Sequence, residues 1–311
     1  MLSSMLSFSS HSSVLSCAFL RRSPSQGSYA RQGSTLVSMK RRDKDFPLLP
    51  PAHRALTLDL FSAIDDRLDS VLLPSTVPSD VLRFENPQGT AHGSVEIRSG
   101  SPTSLLDLVL QSWLHCKLPG GSGEINITTL FGFLDSTSHA PHLLVELIQG
   151  GPSSLVLVID LLPRKDVVLH PDYLDEFYLE TNLDGPRQDL ERLPQVSPYR
   201  SPSLFIRSVL SPTAVAVTIN GGKEVDALAF EEVMARHVGE AAKKVISIWI
   251  EKCLGAGQRV PEEEREGLER RDGMIKRKAV EIDLVANLPK MFGPEVADRV
   301  VAQVQKAFRV V

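Results

Sequence analysis

LLDLVLQSWLHCKLPGGSGEINITTLFGFLDSTSHAPHLLVELIQGGPSSLVLVIDL, residues 105–161, decides the fold. Apolar residues alternate or run continuously here in segments of strand length, at Leu105–Lys117, Ile125–Leu134, Leu143–Gln149 and Leu155–Leu161. Ser94–Arg98 precedes them as a fifth segment. The connections are short and carry Gly, Pro, Ser or Asn, as in an antiparallel meander.

Outward from this stretch the period changes. Upstream, Ala52–Leu73 places Leu56, Leu60, Ile64 and Leu68 four apart, on one face of an amphipathic helix. Downstream, the stretch from His170 to Gln195 is helical in composition, with Pro171 suited to a first helical turn. Two further strands are predicted at Ser203–Leu210 and Ala214–Ile219, split by Ser211-Pro212. Three helices close the chain at Val225–Leu254, Glu262–Leu288 and Pro294–Phe308, the last with Val296, Val300, Val304 and Phe308 in one stripe. No βαβ alternation occurs, so the expected class is α+β, with a mainly antiparallel central sheet covered by helices on both faces. There is no internal repeat, and residues 39–311 read as a single domain.

Residues 1–42 contain no Asp or Glu, are rich in Ser and carry scattered Arg without a continuous apolar core. That is the composition of an organelle transit peptide over residues 1–38, chloroplast first and mitochondrion second; a disordered tail is the alternative. Its removal would take away Arg21, Arg22 and Arg31, leaving 31 Lys+Arg of the original 34 against 38 Asp+Glu, a net charge of about −7. An acidic protein of this kind is a poor nucleic-acid binder, which needs a dense cationic footprint. Its longest apolar run, Leu155 to Ile159, is far short of the ~20 residues of a membrane span, so no transmembrane segment is expected. Cys17, Cys116 and Cys253 form no CxxC pair and no metal-finger spacing, which suits a reducing compartment.

The familiar chemical motifs are absent. No GxGxxG opens a helix, and the GGSG at Gly120–Gly123 and the NGGK at Asn220–Lys223 lack the strand-to-helix setting of a phosphate cradle. HExxH and GxSxG are also missing. His115 and Cys116 are strand neighbours that point to opposite faces and cannot form a dyad. More informative are acids in apolar surroundings, since a buried carboxylate is costly unless paired or protonated. Glu146 shares one strand face with His142, Leu144 and Ile148, while Leu143, Val145 and Leu147 share the other, so it points into a core or a pocket. Asp283 lies at the edge of a helical stripe of Ile275, Ala279, Ile282 and Ala286. Either acid could instead pair with a buried Arg98 or Arg207, or cap a loop. Asp160 reads as a strand-terminating or salt-bridge residue, and Arg164, Lys165 and Asp166 as a solvated turn.

Several long strings, FENPQGTAHGSVEIRSG, LQSWLHCKLP, INITTLFGFL, LLVELIQ, LPRKDVVLHPDYLDEFY, SPYRSPSLFIRSVLSPTA and RRDGMIKRKAVEIDL with LPKMFG, resemble red chlorophyll catabolite reductases in the same order over about residues 45–311. That family is similar in fold to the ferredoxin-dependent bilin reductases, an α/β/α sandwich. The resemblance implies reduction of red chlorophyll catabolite at its C20/C1 double bond to the primary fluorescent catabolite, with no bound cofactor and no metal, using single electrons from reduced ferredoxin. The substrate-contacting acids it implies fall on Glu146 and Asp283, one giving a proton and the other fixing pyrrole nitrogens, with the assignment open. After FIRSV, where Leu210 stands, some members carry Phe and others Val, a choice associated with the face of C1 that is protonated. Leu210 points to the isomer of the aliphatic members; ordinary strand packing is the alternative.

As partners the resemblance implies ferredoxin, other chlorophyll breakdown enzymes and a second copy in a homodimer, in the chloroplast stroma. Ferredoxin is acidic, so Arg164, Lys165, Arg200, Lys243 and Lys244 are candidates for a basic docking patch. Two rival readings remain: a non-catalytic tetrapyrrole-binding scaffold, and a bilin reductase acting on a haem-derived pigment.

Overall fold

The computed structural model describes residues 46–221, 227–255 and 260–310, so the transit-peptide reading of residues 1–38 lies outside the described residues, as do Cys17 and part of the NGGK segment. Eight strands form one fully antiparallel sheet in the order β1-β2-β3-β4-β5-β6-β8-β7. They are β1 (Phe84–Glu85), β2 (Ala91–Ser99), β3 (Leu106–Lys117), β4 (Glu124–Leu134), β5 (His142–Gln149), β6 (Ser154–Leu162), β7 (Val196–Pro198) and β8 (Val215–Asn220). The meander β2–β6 is the stretch with period two, because its turns are too short for any other pairing.

Period two divides the side chains between two cores. Leu143, Val145, Leu147, Leu155, Leu157 and Ile159 face one layer, formed by helix α1 (Pro51–Leu68), the helical segments between β6 and β7, and a long helix over residues 227–253. Leu144, Ile148, Val156, Val158 and Leu162 face the other, formed by Leu204–Val209, a second long helix over residues 262–292 and the C-terminal helix Pro294–Phe308. Both faces are covered, which makes the α/β/α sandwich. Every β5 residue, and every β6 residue after Ser154, is buried by one layer or the other, so these central strands read as nearly unbroken apolar runs.

Two local expectations fail. Ser203–Leu210 is not a strand: Leu204–Val209 forms a helical turn and a half, with the Ser203 hydroxyl accepting the Ile206 N–H at 3.3 Å. Period two would bury Leu204 with Ile206, yet Leu204 is 72% exposed and Ile206 8%. The first helix also stops at Leu68, short of Leu73. Beyond it the chain joins the sheet edge, where Leu73 N–H donates to Ser99 O and the Arg98 guanidinium binds Asp69 and the carbonyls of Leu72 and Leu73. Tertiary hydrogen bonds outweigh the remaining helical periodicity.

Both long helices contain π-helical turns, at Val233–Val238 and Trp249–Cys253 in the first and Val280–Val285 in the second. No helix among the described residues is long and apolar enough to cross a membrane.

Candidate active site

Glu146 lies at the middle of the central strand β5, paired with Thr129 of β4 and Val158 of β6. It is 5% exposed, on the face with Leu144 and Ile148. Burial, and then the nearby Asp283 carboxylate, push its carboxyl up to about 8, so it is a neutral acid at pH 7. Among the described residues no basic side chain forms an ion pair with it. Arg98 is engaged with Asp65 and Asp69, and Arg207 is exposed on a different segment, so neither forms the ion pair with Glu146 weighed from sequence.

Asp283 approaches from the layer above, in the π-helical turn Val280–Val285. Such turns are over-represented at functional sites because the extra residue re-aims side chains and frees backbone carbonyls. Here Asn287 satisfies those carbonyls: its amide donates to Asp283 O at 3.0 Å and Ile282 O at 3.3 Å. The turn is thereby held with Asp283 on the wall of a cleft of about 40 Å3. The floor is Phe131, Leu144 and Leu162 of the sheet, and Val209 and Leu210 form the opposite wall. A second cleft, about 110 Å3, lies on the far side of the Leu204–Val209 helix, between Val158, Ala216, Tyr199, Arg200 and Arg207. Ile206 and Leu210 line both. Of the three residues selected from sequence, Asp283 and Leu210 line the same cleft, Leu210 from the end of a helix; Glu146 lines neither cleft and is buried on the sheet, close enough to Asp283 to feel its charge.

Other candidates are placed differently. Asp160 neither ends its strand nor forms a salt bridge; it is inside β6 and accepts two hydrogen bonds from Ser211. Arg164 is no solvated turn residue. It is 3% exposed and binds Asp272 through Nε at 3.3 Å and a second nitrogen at 2.5 Å. Asp272 also accepts a hydrogen bond from His142 Nε2 at 2.9 Å, while His142 Nδ1 accepts Leu134 N–H at 3.1 Å, which fixes the neutral tautomer. Burial brings His142 down to about 4; burial alone would raise Asp272, but His142 and Arg164 hold it at about 2. This cluster latches the second long helix to the sheet. Sequence analysis missed it because its members are 22 to 130 residues apart, with only Arg164 standing out, and for the wrong reason.

Lys165 pairs with Glu264, and Lys243 with Asp59. Lys243 and Lys244 are on the helix covering one face of the sheet, whereas Arg200 borders a cleft on the other, so the five cations nominated for docking do not form one patch. Cys116 and Cys253 are buried free thiols raised by burial, opposite in character to activated nucleophiles.

A sheet sandwiched by helices, with a carboxyl buried on the sheet beside one on a helix that borders an apolar cleft, defines a protein of the bilin-reductase fold class. A solved phytochromobilin synthase from tomato, in complex with biliverdin, has this architecture: TM-score 0.61, 12% sequence identity, covering 80% of this chain and 81% of that one. Residues 52–306 match the family described as Red chlorophyll catabolite reductase (RCC reductase), and the chain belongs to that family. It is 48% identical over 275 residues to "Red chlorophyll catabolite reductase, chloroplastic" of Arabidopsis thaliana, covering 88% of this chain and 85% of that one. It is 46% identical to "Red chlorophyll catabolite reductase 1, chloroplastic" of Oryza sativa subsp. japonica, covering 83% and 78%.

Proposed function

We propose that this chain reduces red chlorophyll catabolite at the C20/C1 double bond to the primary fluorescent catabolite, taking single electrons from reduced ferredoxin. The observation that carries the reading is Glu146: a carboxyl buried on the apolar sheet face, held protonated by burial and by the nearby Asp283, which itself lines the adjoining cleft. Reduction of one double bond needs two electrons and two protons. Each electron delivered to the bound pigment creates an anionic centre that a positioned acid can quench, an effect worth about 10²- to 10⁴-fold in rate. Glu146 is the group already carrying a proton at neutral pH, and it serves as the donor. Asp283 sits where it can accept hydrogen bonds from pyrrole N–H groups and orient the pigment. Leu210 sets how the reacting carbon is presented.

The clefts, about 110 Å3 and 40 Å3, are each well below the 300–1,000 Å3 range of ligand pockets, so an open-chain tetrapyrrole has to extend along both and displace the partition at Leu210 as it binds. In this reading the protein supplies orientation, water exclusion and protons, with no bound cofactor. Chloroplast targeting through residues 1–38 to the stroma, docking of ferredoxin, association with other chlorophyll breakdown enzymes and homodimerisation belong to the same proposal.

The test is an anaerobic incubation of the protein with red chlorophyll catabolite and reduced ferredoxin, followed by chromatography for a blue-fluorescent product. Product that requires both proteins supports the reductase reading. Pigment that binds and stays red, while an established reductase turns over in parallel, replaces it with the binding-scaffold reading.

A further inference from the structure

Asp160 has no part in the chemistry above, yet it is 2% exposed and lies on the same sheet face as Glu146, directly opposite Leu144. The strand pairs Leu144–Asp160 and Glu146–Val158 place the two acids diagonally on neighbouring strands. Both oxygens of Asp160 are committed to a single residue outside the sheet: Oδ2 accepts the Ser211 N–H at 2.7 Å and Oδ1 accepts the Ser211 hydroxyl at 2.5 Å. Ser211 Oγ in turn accepts the Thr213 N–H at 3.1 Å and lies 3.0 Å from Thr213 Oγ1. These bonds pin the backbone at the residue immediately after Leu210.

That attachment matters because the element it holds is weak by itself. Leu204–Val209 is six residues long, too short to be stable without tertiary support, and Leu204 at its start is solvent-exposed. Its start is held by the Ser203 cap and its end by Ser211. Between these two points Ile206 and Leu210 form the partition between the two clefts. A turn could be secured by a neutral acceptor at lower desolvation cost than a buried acid without an ion pair. A carboxylate instead makes two short charge-assisted bonds in a fixed direction.

Resting on the reading of these clefts as the tetrapyrrole site, we infer that Asp160 is a positioning residue for specificity: by clamping Ser211 it fixes Leu210 against β6, and so sets which face of the reacting carbon the pigment offers to Glu146.

The experiment compares native protein, Asp160→Asn and Ser211→Ala for KM, kcat and the ratio of C1 epimers in the product, with melting temperature alongside. Asn keeps one acceptor but turns an N–H2 towards a donor. Asp160→Asn should raise the pigment KM about tenfold, change kcat less, and convert a single epimer into a mixture. Ser211→Ala, which retains the backbone bond, should shift KM and epimer ratio in the same direction by about threefold. Lower melting temperatures with native KM and epimer ratio in both variants would reduce Asp160 to a structural residue and overturn the inference. Should Asp160→Asn fail to fold, Ser211→Ala decides. If the native protein binds pigment without turning it over, the reductase reading fails separately, and the clamp is read from the pigment Kd: weakened in Ser211→Ala it stands, unchanged it falls.

Discussion

Glu146→Gln should make the protein more stable and nearly inactive. The native carboxyl titrates near 8 against a reference of 4.5. Because the folded value is the higher one, the stability associated with the protonated form is complete below about pH 4.5 and is lost progressively as pH rises towards 8. At pH 7 the unfolded chain has released this proton and the native state still holds it. At about 1.4 kcal/mol per pH unit over the interval from 4.5 to 7, native Glu146 costs about 3 kcal/mol. Gln has the shape of the protonated acid and cannot ionise, so the variant should recover much of that, a rise in melting temperature on the order of 5 °C. Turnover should fall by about 10²- to 10⁴-fold. Denaturant unfolding of both proteins from pH 5 to pH 8.5, combined with the fluorescent-product assay, measures both quantities. Parallel stability profiles across pH 5 to 8 would refute the protonated, buried carboxyl; native turnover by the variant would refute its role as donor.

Asp272→Asn should destabilise by about 3–5 kcal/mol, seen in urea unfolding, because Arg164 is left buried without its counter-charge. Asp272 titrates below its usual value, so its own contribution, about 2 kcal/mol, holds above pH 4 and disappears as pH falls through about 2. Gly132→Ala should cost about 1–3 kcal/mol by calorimetry, since a Cβ there would stand 2.4 Å and 2.5 Å from carbons of the fully buried Trp249 ring. Leu210→Phe should narrow both clefts and shift the epimer composition of the product with little change in melting temperature; an unchanged composition would remove Leu210 from the specificity wall.

The inward direction of Glu146 was legible because one signal is strong. A single acid in the otherwise apolar LLVELI has nowhere to go but a buried face, and Glu146 is there. The same argument applied to SLVLVIDLL would have placed Asp160 inside the sheet, since Leu161 and Leu162 continue the run beyond it. What misled the reading was assigning a terminal role to an acid near the end of an apolar segment. Leu210 borders both clefts but was placed on the wrong element, because the eight residues SLFIRSVL are too short to separate period two from period 3.6.

Local pattern alone determined the meander, its antiparallel sense, the two helical layers and the inward direction of Glu146, since side-chain period and turn length are properties of neighbouring residues. Tertiary structure alone decided that Ser203–Leu210 is helical, that Arg164 is buried on Asp272, that a π-helical turn presents Asp283 to the cleft, and that Asp160 holds Ser211. Each of these depends on a hydrogen bond, a counter-charge or a covering layer supplied by another element. The energy of such contacts exceeds local preference only once the chain has brought the partners together.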